Sequence, residues 1–358
     1  MVSLLERMEP RTSARLTRIL LWVVLAAALV MAGGAGFNYF ALRHYRAAYP
    51  PPGRLYRVGG GFEMHLYCTG SGSPPVVLES GMGDSFLSWA KVQPRLSQLT
   101  RVCSYDRAGL GWSETRPGIR DSNAVAEQLH SLLHESGMNE PFLLMGHSVA
   151  GLHMRVYQAR YPKDIAGIVF VDPSTPGQFA AFLPEGPGLD QKELDDARRE
   201  KWKAALGLTR LLGKCGAVPP GFEEWAGWLK ASDSDCDPAL YKASEREMAA
   251  RGLSRQEADR TGPWGDLPIL ILSSDPDVWG KDWSGLPEAL RKKWASAWSS
   301  LHEGLKQLST RSRRVVARNS HHYVQNDRPE LVIDETERFV RQLRGTEQAS
   351  AWGSTVVR

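Results

Sequence analysis

The segment Phe142-Leu143-Leu144-Met145 followed by Gly146-His147-Ser148-Val149-Ala150-Gly151 leaves the chain little freedom. Four apolar residues read as a buried strand, and residues 149–161 carry a helical pattern. The strand must therefore turn into a helix within a few residues, with Ser148 at the apex. Small residues around the serine let strand and helix approach, and the tight turn presents the hydroxyl to solvent. The helix start directs N–H groups and a positive dipole end at any negative charge that develops there. Ala150 stands where such turns most often carry glycine. Further strands are predicted at 54–58, 64–68, 76–79, 102–105, 168–171, 269–272 and 315–317, and further helices at 123–135, 287–308 and 329–343. Strands alternating with helices predict an α/β architecture, a mostly parallel sheet covered on both faces.

A second constraint lies near the N-terminus. Residues 19–37, ILLWVVLAAALVMAGGAGF, are uncharged and apolar, and the run continues through Asn38-Tyr39-Phe40-Ala41-Leu42. At about 1.5 Å per residue such a helix crosses a bilayer core. Arg7, Arg11, Arg15 and Arg18 precede it, which suits an uncleaved signal anchor; the small residues Ala32-Gly33-Gly34-Ala35-Gly36 leave cleavage and secretion as the alternative. Orientation by charge is balanced, because Arg43, Arg46, Arg54 and Arg57 follow the run. The expected order is a short cytoplasmic N-terminus (1–18), a transmembrane segment (19–42), a Pro-rich linker (43–53), a globular domain (54–345) and a tail (346–358). A charged fraction of 23% and an apolar fraction of 42% exclude a disordered or polytopic membrane protein. No basic stripe calls for nucleic acid.

Three more segments fall into a known order. Val76-Val77-Leu78-Glu79-Ser80-Gly81-Met82-Gly83-Asp84 resembles the strand and oxyanion loop of the α/β-hydrolases. Tyr105-Asp106-Arg107-Ala108-Gly109-Leu110-Gly111-Trp112-Ser113 resembles their D-R-x-G-x-G-x-S turn, and Ser320-His321-His322-Tyr323 with Asp327-Arg328-Pro329-Glu330 resembles their late G-H segment. The chain is similar to this superfamily from about residue 54 to 345. The resemblance implies an eight-stranded, mostly parallel sheet with a helical cap, here about 173–265, between strands six and seven. It also implies Ser148 as nucleophile, His322 as base, and the backbone N–H groups of Met82 and Val149 as oxyanion donors. Ser80-Gly81 replaces the usual His-Gly and removes a side chain that buttresses the loop. His147 is expected to pack locally; His65, His130, His134, His153 and His302 are expected to be structural.

The acid has two candidates. Asp277, with Asp275 beside it, follows strand seven at the usual site, but the connection to His322 is long and carries Trp279, Trp283, Trp294 and Trp298. Asp172, at the end of strand six before Pro173, occupies the position some α/β-hydrolases use instead, and is preferred. In the cap, Trp202, Trp225, Trp228, Trp264, Phe179, Phe182 and Phe222 offer aromatic surface for an apolar pocket or for the cap's own core. The resemblance pairs Cys68 with Cys103, on neighbouring strands, and Cys215 with Cys236 inside the cap. Two disulfides would place the catalytic unit outside the cytoplasm; four reduced, buried cysteines are the alternative. The expected activity is hydrolysis of an ester-like small molecule through an acyl-enzyme, with no metal or organic cofactor. Amidase, perhydrolase and acyltransferase chemistry share the first half-reaction, and a non-catalytic, membrane-tethered binding protein is the reading from another class. A serine nucleophile argues against epoxide-hydrolase and dehalogenase chemistry, which use an aspartate.

Overall fold

The computed structural model describes residues 10–184, 186–232, 235–283, 285–347 and 352–358. The expected cytoplasmic N-terminus, Arg7 included, lies largely outside the described residues, as does part of the tail. The strands are β1 (Arg54–Val58), β2 (Phe62–Thr69), β3 (Val76–Glu79), β4 (Val102–Tyr105), β5 (Phe142–His147), β6 (Ile165–Val171), β7 (Ile269–Ser273), β8 (Ser312–Val316) and β9 (Thr355–Val357). The principal helices are α1 (Pro10–Ala48), α2 (Ser122–Glu135), α3 (Ala150–Arg160), α4 (Gly186–Ala205), α5 (Leu208–Leu211), α6 (Ala226–Ala231), α7 (Pro238–Asp259), α8 (Glu288–Gly304) and α9 (Pro329–Leu343).

The strands form one sheet in the order β1-β2-β4-β3-β5-β6-β7-β8-β9. Pairing is antiparallel from β1 to β4 and parallel from there to β9. The central strands are buried on both faces, and their sequences are accordingly continuous apolar runs rather than alternating ones. One core layer joins α2 and α3 to the sheet through Leu129, Leu132, Met154 and Tyr157; α9 closes the other through Leu331, Val332 and Val340. The sheet exceeds the expected eight strands because residues 355–357 of the tail pair with β8. Three residues are too short to carry a periodicity signal.

The helical cap occupies the expected stretch between β6 and β7. Its aromatic residues do not gather in one place. Phe182 stacks against Trp294 and Trp298 of α8, Trp225 lies over Phe86, Phe222 meets Lys91, Trp264 faces Phe170, Trp228 contacts Tyr49, and Phe179 lies under Arg255. Trp202 is exposed. Helix α1 runs on to Ala48 through residues 43–48, expected as linker, because nothing before Tyr49-Pro50 breaks it. By length and composition it contains a stretch able to cross a membrane.

Two disulfides tie the fold. Cys68 and Cys103 face each other across the β2–β4 ladder, and Cys215–Cys236 closes a loop of the cap. Replacing both Cys68 and Cys103 by Ala should lower stability by about 3 kcal/mol, the cost of releasing a loop of this order. Denaturant unfolding of the full chain in detergent micelles reads the difference.

Candidate active site

Ser148 sits where β5 ends and α3 begins, with φ +57°, a conformation disfavoured for any residue bearing a Cβ. The turn is held by Ser148 N–H donating to Val171 O (3.2 Å) and by Ser148 O accepting from Gly151 and Ser174 N–H (2.9 and 2.7 Å). It can be this tight because a methyl group at Gly146 would overlap Met154, and one at Gly151 would lie 2.6 Å from Ser174 O. Strand and helix thus meet at Gly146, while Gly151 lets the chain after β6 pass close to the start of α3.

His322, in the loop between β8 and α9, places Nε2 2.9 Å from Ser148 Oγ and Nδ1 2.7 Å from Asp172 Oδ2. Asp172 is fully buried at the end of β6, with φ +42°, which aspartate tolerates better than most residues. Its Oδ1 accepts from Ser274 N–H (2.8 Å) and Ser274 Oγ (2.7 Å), and Trp298 Nε1–H reaches both carboxylate oxygens at 3.1 Å. Burial pushes this carboxyl up, but the hydrogen bond with His322, the charges of His302 and His322, and the Ser274 N–H outweigh it and hold the pKa to about 2. Asp277 is elsewhere. Its side chain is 83% exposed and pairs with Arg318 at 3.4 Å, while Asp275 caps the short helix that follows β7 and accepts from Asn319 N–H. The long connection after β7 delivers Trp298 to the Asp172 side, so the ring that helps seat the carboxylate comes from the segment that makes Asp277 remote.

Val149 opens α3 directly after Ser148, and Met82 lies in the turn closed by Asp84 N–H donating to Gly81 O (3.2 Å). The backbone before that turn has an unexpected support. Arg107, buried under the loop, donates from Nη1 to Ser80 O (2.5 Å) and from Nη2 to Gly81 O (2.7 Å). Its Nε and Nη2 also donate to Glu247 of α7 (2.8 and 2.9 Å), and Nη1 lies 3.8 Å from Glu79, which contacts His153 Nδ1 at 2.6 Å. Burial alone would lower the Arg107 pKa; Glu247 and Glu79 offset that and raise it above the ordinary guanidinium value. The guanidinium thus does the buttressing that Ser80-Gly81 had seemed to forgo. Asp106 pins the following turn by accepting from Phe86 and Trp112 N–H (2.7 and 3.0 Å), and Gly111 (φ +50°) is required because a methyl there would overlap that carboxylate.

His147 packs locally, its Nε2–H donating to His322 O at 2.9 Å, and burial first, then the neighbouring His322, lowers its pKa to about 3. His302 Nε2–H donates to Pro173 O (2.9 Å) beneath Asp172, and burial lowers its pKa to about 4. Burial pushes Asp84 up to about 6 against the pull of Arg107; Tyr323 donates to it at 3.5 Å. Asp84 and Tyr323 edge a cavity of about 640 Å³ walled by Leu87, Phe222, Leu229 and Leu240. Two larger hollows, about 770 and 710 Å³, lie elsewhere, one beside Arg155 and Leu301, the other beside Asp277 and Arg314. Among the described residues, no group of three or more His, Cys, Asp or Glu could hold a metal ion.

Arg107 was in view within its motif, but Glu247, Trp298 and Ser274 carry no local signal. They become partners only when the cap and the long connection fold back. Chemically, the arrangement pairs a hydroxyl with a base whose far nitrogen is fixed by a buried anion.

Residues 74–208 match the family model described as alpha/beta hydrolase fold. The chain is 30% identical over 171 residues to the uncharacterized protein YbdG of Bacillus subtilis, covering 47% of this chain and 52% of that protein, so it spans about half the length of that relative. It superposes on a thermophilic esterase from Thermogutta terrifontis with TM-score 0.59 and 19% identity, over 81% of this chain and 98% of the other. On a putative epoxide hydrolase mutant from Pseudomonas aeruginosa the TM-score is 0.60 with 18% identity, over 83% and 99%.

Two predictions follow from the buried groups. Unfolded, His147 and His302 would titrate near 6.5. Between pH 6.5 and 4 the unfolded chain therefore takes up protons that the folded chain refuses. Stability present above pH 6.5 is lost on acidification, by about 2 kcal/mol per ring at pH 5. Denaturation midpoints measured from pH 7.5 to 4.5 should fall accordingly, with a shallower slope in His302→Gln. Separately, Glu247→Ala leaves Arg107 short of its main counter-charge and should cost about 3–5 kcal/mol in a denaturant titration.

Proposed function

The chain belongs to the α/β-hydrolase fold superfamily, and from that premise we propose that it is a membrane-anchored serine hydrolase acting on lipophilic, ester-like substrates. One observation carries the reading: the unbroken hydrogen-bond chain from Ser148 Oγ through His322 to Asp172, at 2.9 and 2.7 Å. His322 Nε2 takes the hydroxyl proton as Ser148 Oγ attacks the substrate carbonyl. Asp172 holds Nδ1–H and stabilises the imidazolium that forms. The N–H groups of Met82 and Val149 receive the oxyanion, which collapses as His322 returns the proton to the leaving alcohol. Water, deprotonated by the same imidazole, then attacks the acyl-Ser148 ester and releases the acid. The serine favours this route over the aspartyl-ester chemistry of epoxide hydrolases. The cavity beside Asp84, reaching Tyr323 next to His322, mixes the apolar Phe222, Leu229 and Leu240 with Ser88, Lys91 and Asp235, and this supports a substrate with an apolar acyl or alcohol group beside a polar one.

The anchor reading rests on α1, whose residues 14–33 are exposed and almost wholly apolar after Arg18. Exposing that much apolar surface to water is what soluble domains avoid. The two disulfides favour an oxidising compartment, so the catalytic domain belongs on the extracytoplasmic side.

A fluorophosphonate probe should label the wild type and not Ser148→Ala. On p-nitrophenyl esters, Asp172→Asn should lower kcat by on the order of 10³–10⁴ while Asp277→Asn stays within about twofold. Rates should rise with acyl length beyond acetate. A folded wild type that neither labels nor turns over any ester of the series would instead identify a binding protein.

A further inference from the structure

Helix α1 is free of the globular body along residues 14–33 and then joins it abruptly. From Gly34 onward it buries a stripe at every fourth residue, Gly34, Asn38 and Leu42, against the cap. Gly34 and Gly207 meet backbone to backbone: a methyl at Gly34 would lie 2.7 Å from Leu206 O, and one at Gly207 would overlap the Gly34 carbonyl. Asn38 is the first polar residue after Arg18 and is fully used. Its Nδ2 donates to Ala204 O (3.0 Å) and Cys236 O (2.8 Å), and its Oδ1 accepts from Arg210 Nε (2.8 Å). Farther along, Arg46 donates to Ala231 O and pairs with Asp237 at 2.9 Å. The junction is a designed one, with close-approach glycines and satisfied polar groups rather than a loose tether.

Its level along α1 matters. A hydrocarbon core of about 30 Å needs about 20 helical residues, so a span that begins after Arg18 ends near Asn38. Gly34 then lies about 6 Å inside the apolar layer. What meets it there is the α4–α5 turn of the cap, and that turn exposes large apolar side chains: Leu211 at 53%, Leu212 at 68%, and, one turn before Leu206 on α4, Trp202 at 65%. Tyr39 and Phe40 of α1 are exposed just beyond the end of that span, in the place where aromatic belts sit.

We propose that the α4–α5 turn of the cap is a lipid-docking surface, with Trp202, Leu211 and Leu212 entering the interfacial layer of the bilayer that α1 crosses. The proposal rests on reading α1 as a membrane anchor. Its occupant is the lipid itself, because the patch is continuous with the exposed apolar face of α1 and set at a depth of the size interfacial elements reach, about 5–10 Å. The consequence for the site is direct. The loop closed by Cys215–Cys236 supplies Phe222 and Leu229 to the cavity wall and rests on α1 through Ala231 and Cys236. The cavity wall and the lipid-docking turn are thus held by one helix.

The test uses the full chain in phosphatidylcholine nanodiscs. Its native cysteines are all paired, so L212C, V24C and E140C each offer one thiol for an environment-sensitive nitrobenzoxadiazole label. E140C, before the start of β5 and therefore at the end of the sheet away from the cap, reports water. Lipids bearing a spin label high on the acyl chain should quench the label at 212 at least threefold more than at 140, with a blue-shifted emission, and should quench that at 24 as well. Quenching at 24 with a water-like signal at 212 overturns the proposal and leaves the anchor standing. A water-like signal at 24 overturns both. A blue-shifted but unquenched label at 212 means that a protein surface, a second copy included, covers the turn, and this too overturns the proposal.

Discussion

A single buried cation holds the site together. The Arg107 guanidinium fans its donors to the carbonyls of Ser80 and Gly81, to the Glu247 carboxylate on the cap, and toward Glu79 at the end of β3. Removing such a cation from water costs several kcal/mol, and the fold recovers it only by surrounding the planar fork with acceptors in the right directions. Lysine, with one compact charge, could not bridge four groups on three elements. The turn carrying Met82, the sheet and the cap therefore keep one mutual geometry because they share one counter-ion. The cap is not a lid laid over a finished site; through Glu247 it is part of what finishes it.

The same logic explains the buried carboxylate at the end of β6. A carboxylate at Asp172 has no exposure to water, so its charge survives only if donors replace the lost hydration. Ser274 supplies two, His322 one, and Trp298 an indole N–H shared between both oxygens. The indole arrives on α8, within a cluster of Phe182, Trp279, Trp294 and Trp298 that fills the space under the long connection. The other three rings of the cluster hold the indole in one orientation. The seat beyond β7 is thereby free of any such demand, and Asp277 faces solvent with Arg318.

What could be read from the residue order follows the range of the interactions. The turn around Ser148 is dictated by neighbours within six residues, and the apolar runs of the central strands by burial on both faces; both were legible. So was the helical stretch between β6 and β7, where strand alternation stops. The partners of Arg107 and Asp172 were not, because Glu247 and Trp298 are each more than a hundred residues away and sit on helices whose local pattern is that of any amphipathic helix. Choosing between Asp172 and Asp277 needed a resemblance as well as chemistry, since each precedes or follows a proline at the end of a strand and looks locally like a cap. The ninth strand escaped because its three residues gain their order from the edge of β8 rather than from any periodicity of their own.

The end of α1 carries both an exposed apolar stretch and a specific seat on the cap. Small residues at 32–36 suggest a peptidase site when read alone. In the fold, Gly34 is small because a backbone passes over it, and Asn38 is polar because three partners on the cap complete its hydrogen bonds. A cut at that point would leave Ala204 O and Cys236 O without their donor and strip the glycine contact from Gly207. The cap's own hydrogen bonds thus argue for keeping the segment attached. The Cys215–Cys236 loop links that contact to Phe222 and Leu229 of the cavity wall. Through Glu247 and Arg107 that same cap is joined to the turn carrying Met82, so the contact made by α1 and the backbone beside Ser148 belong to one connected set of hydrogen bonds.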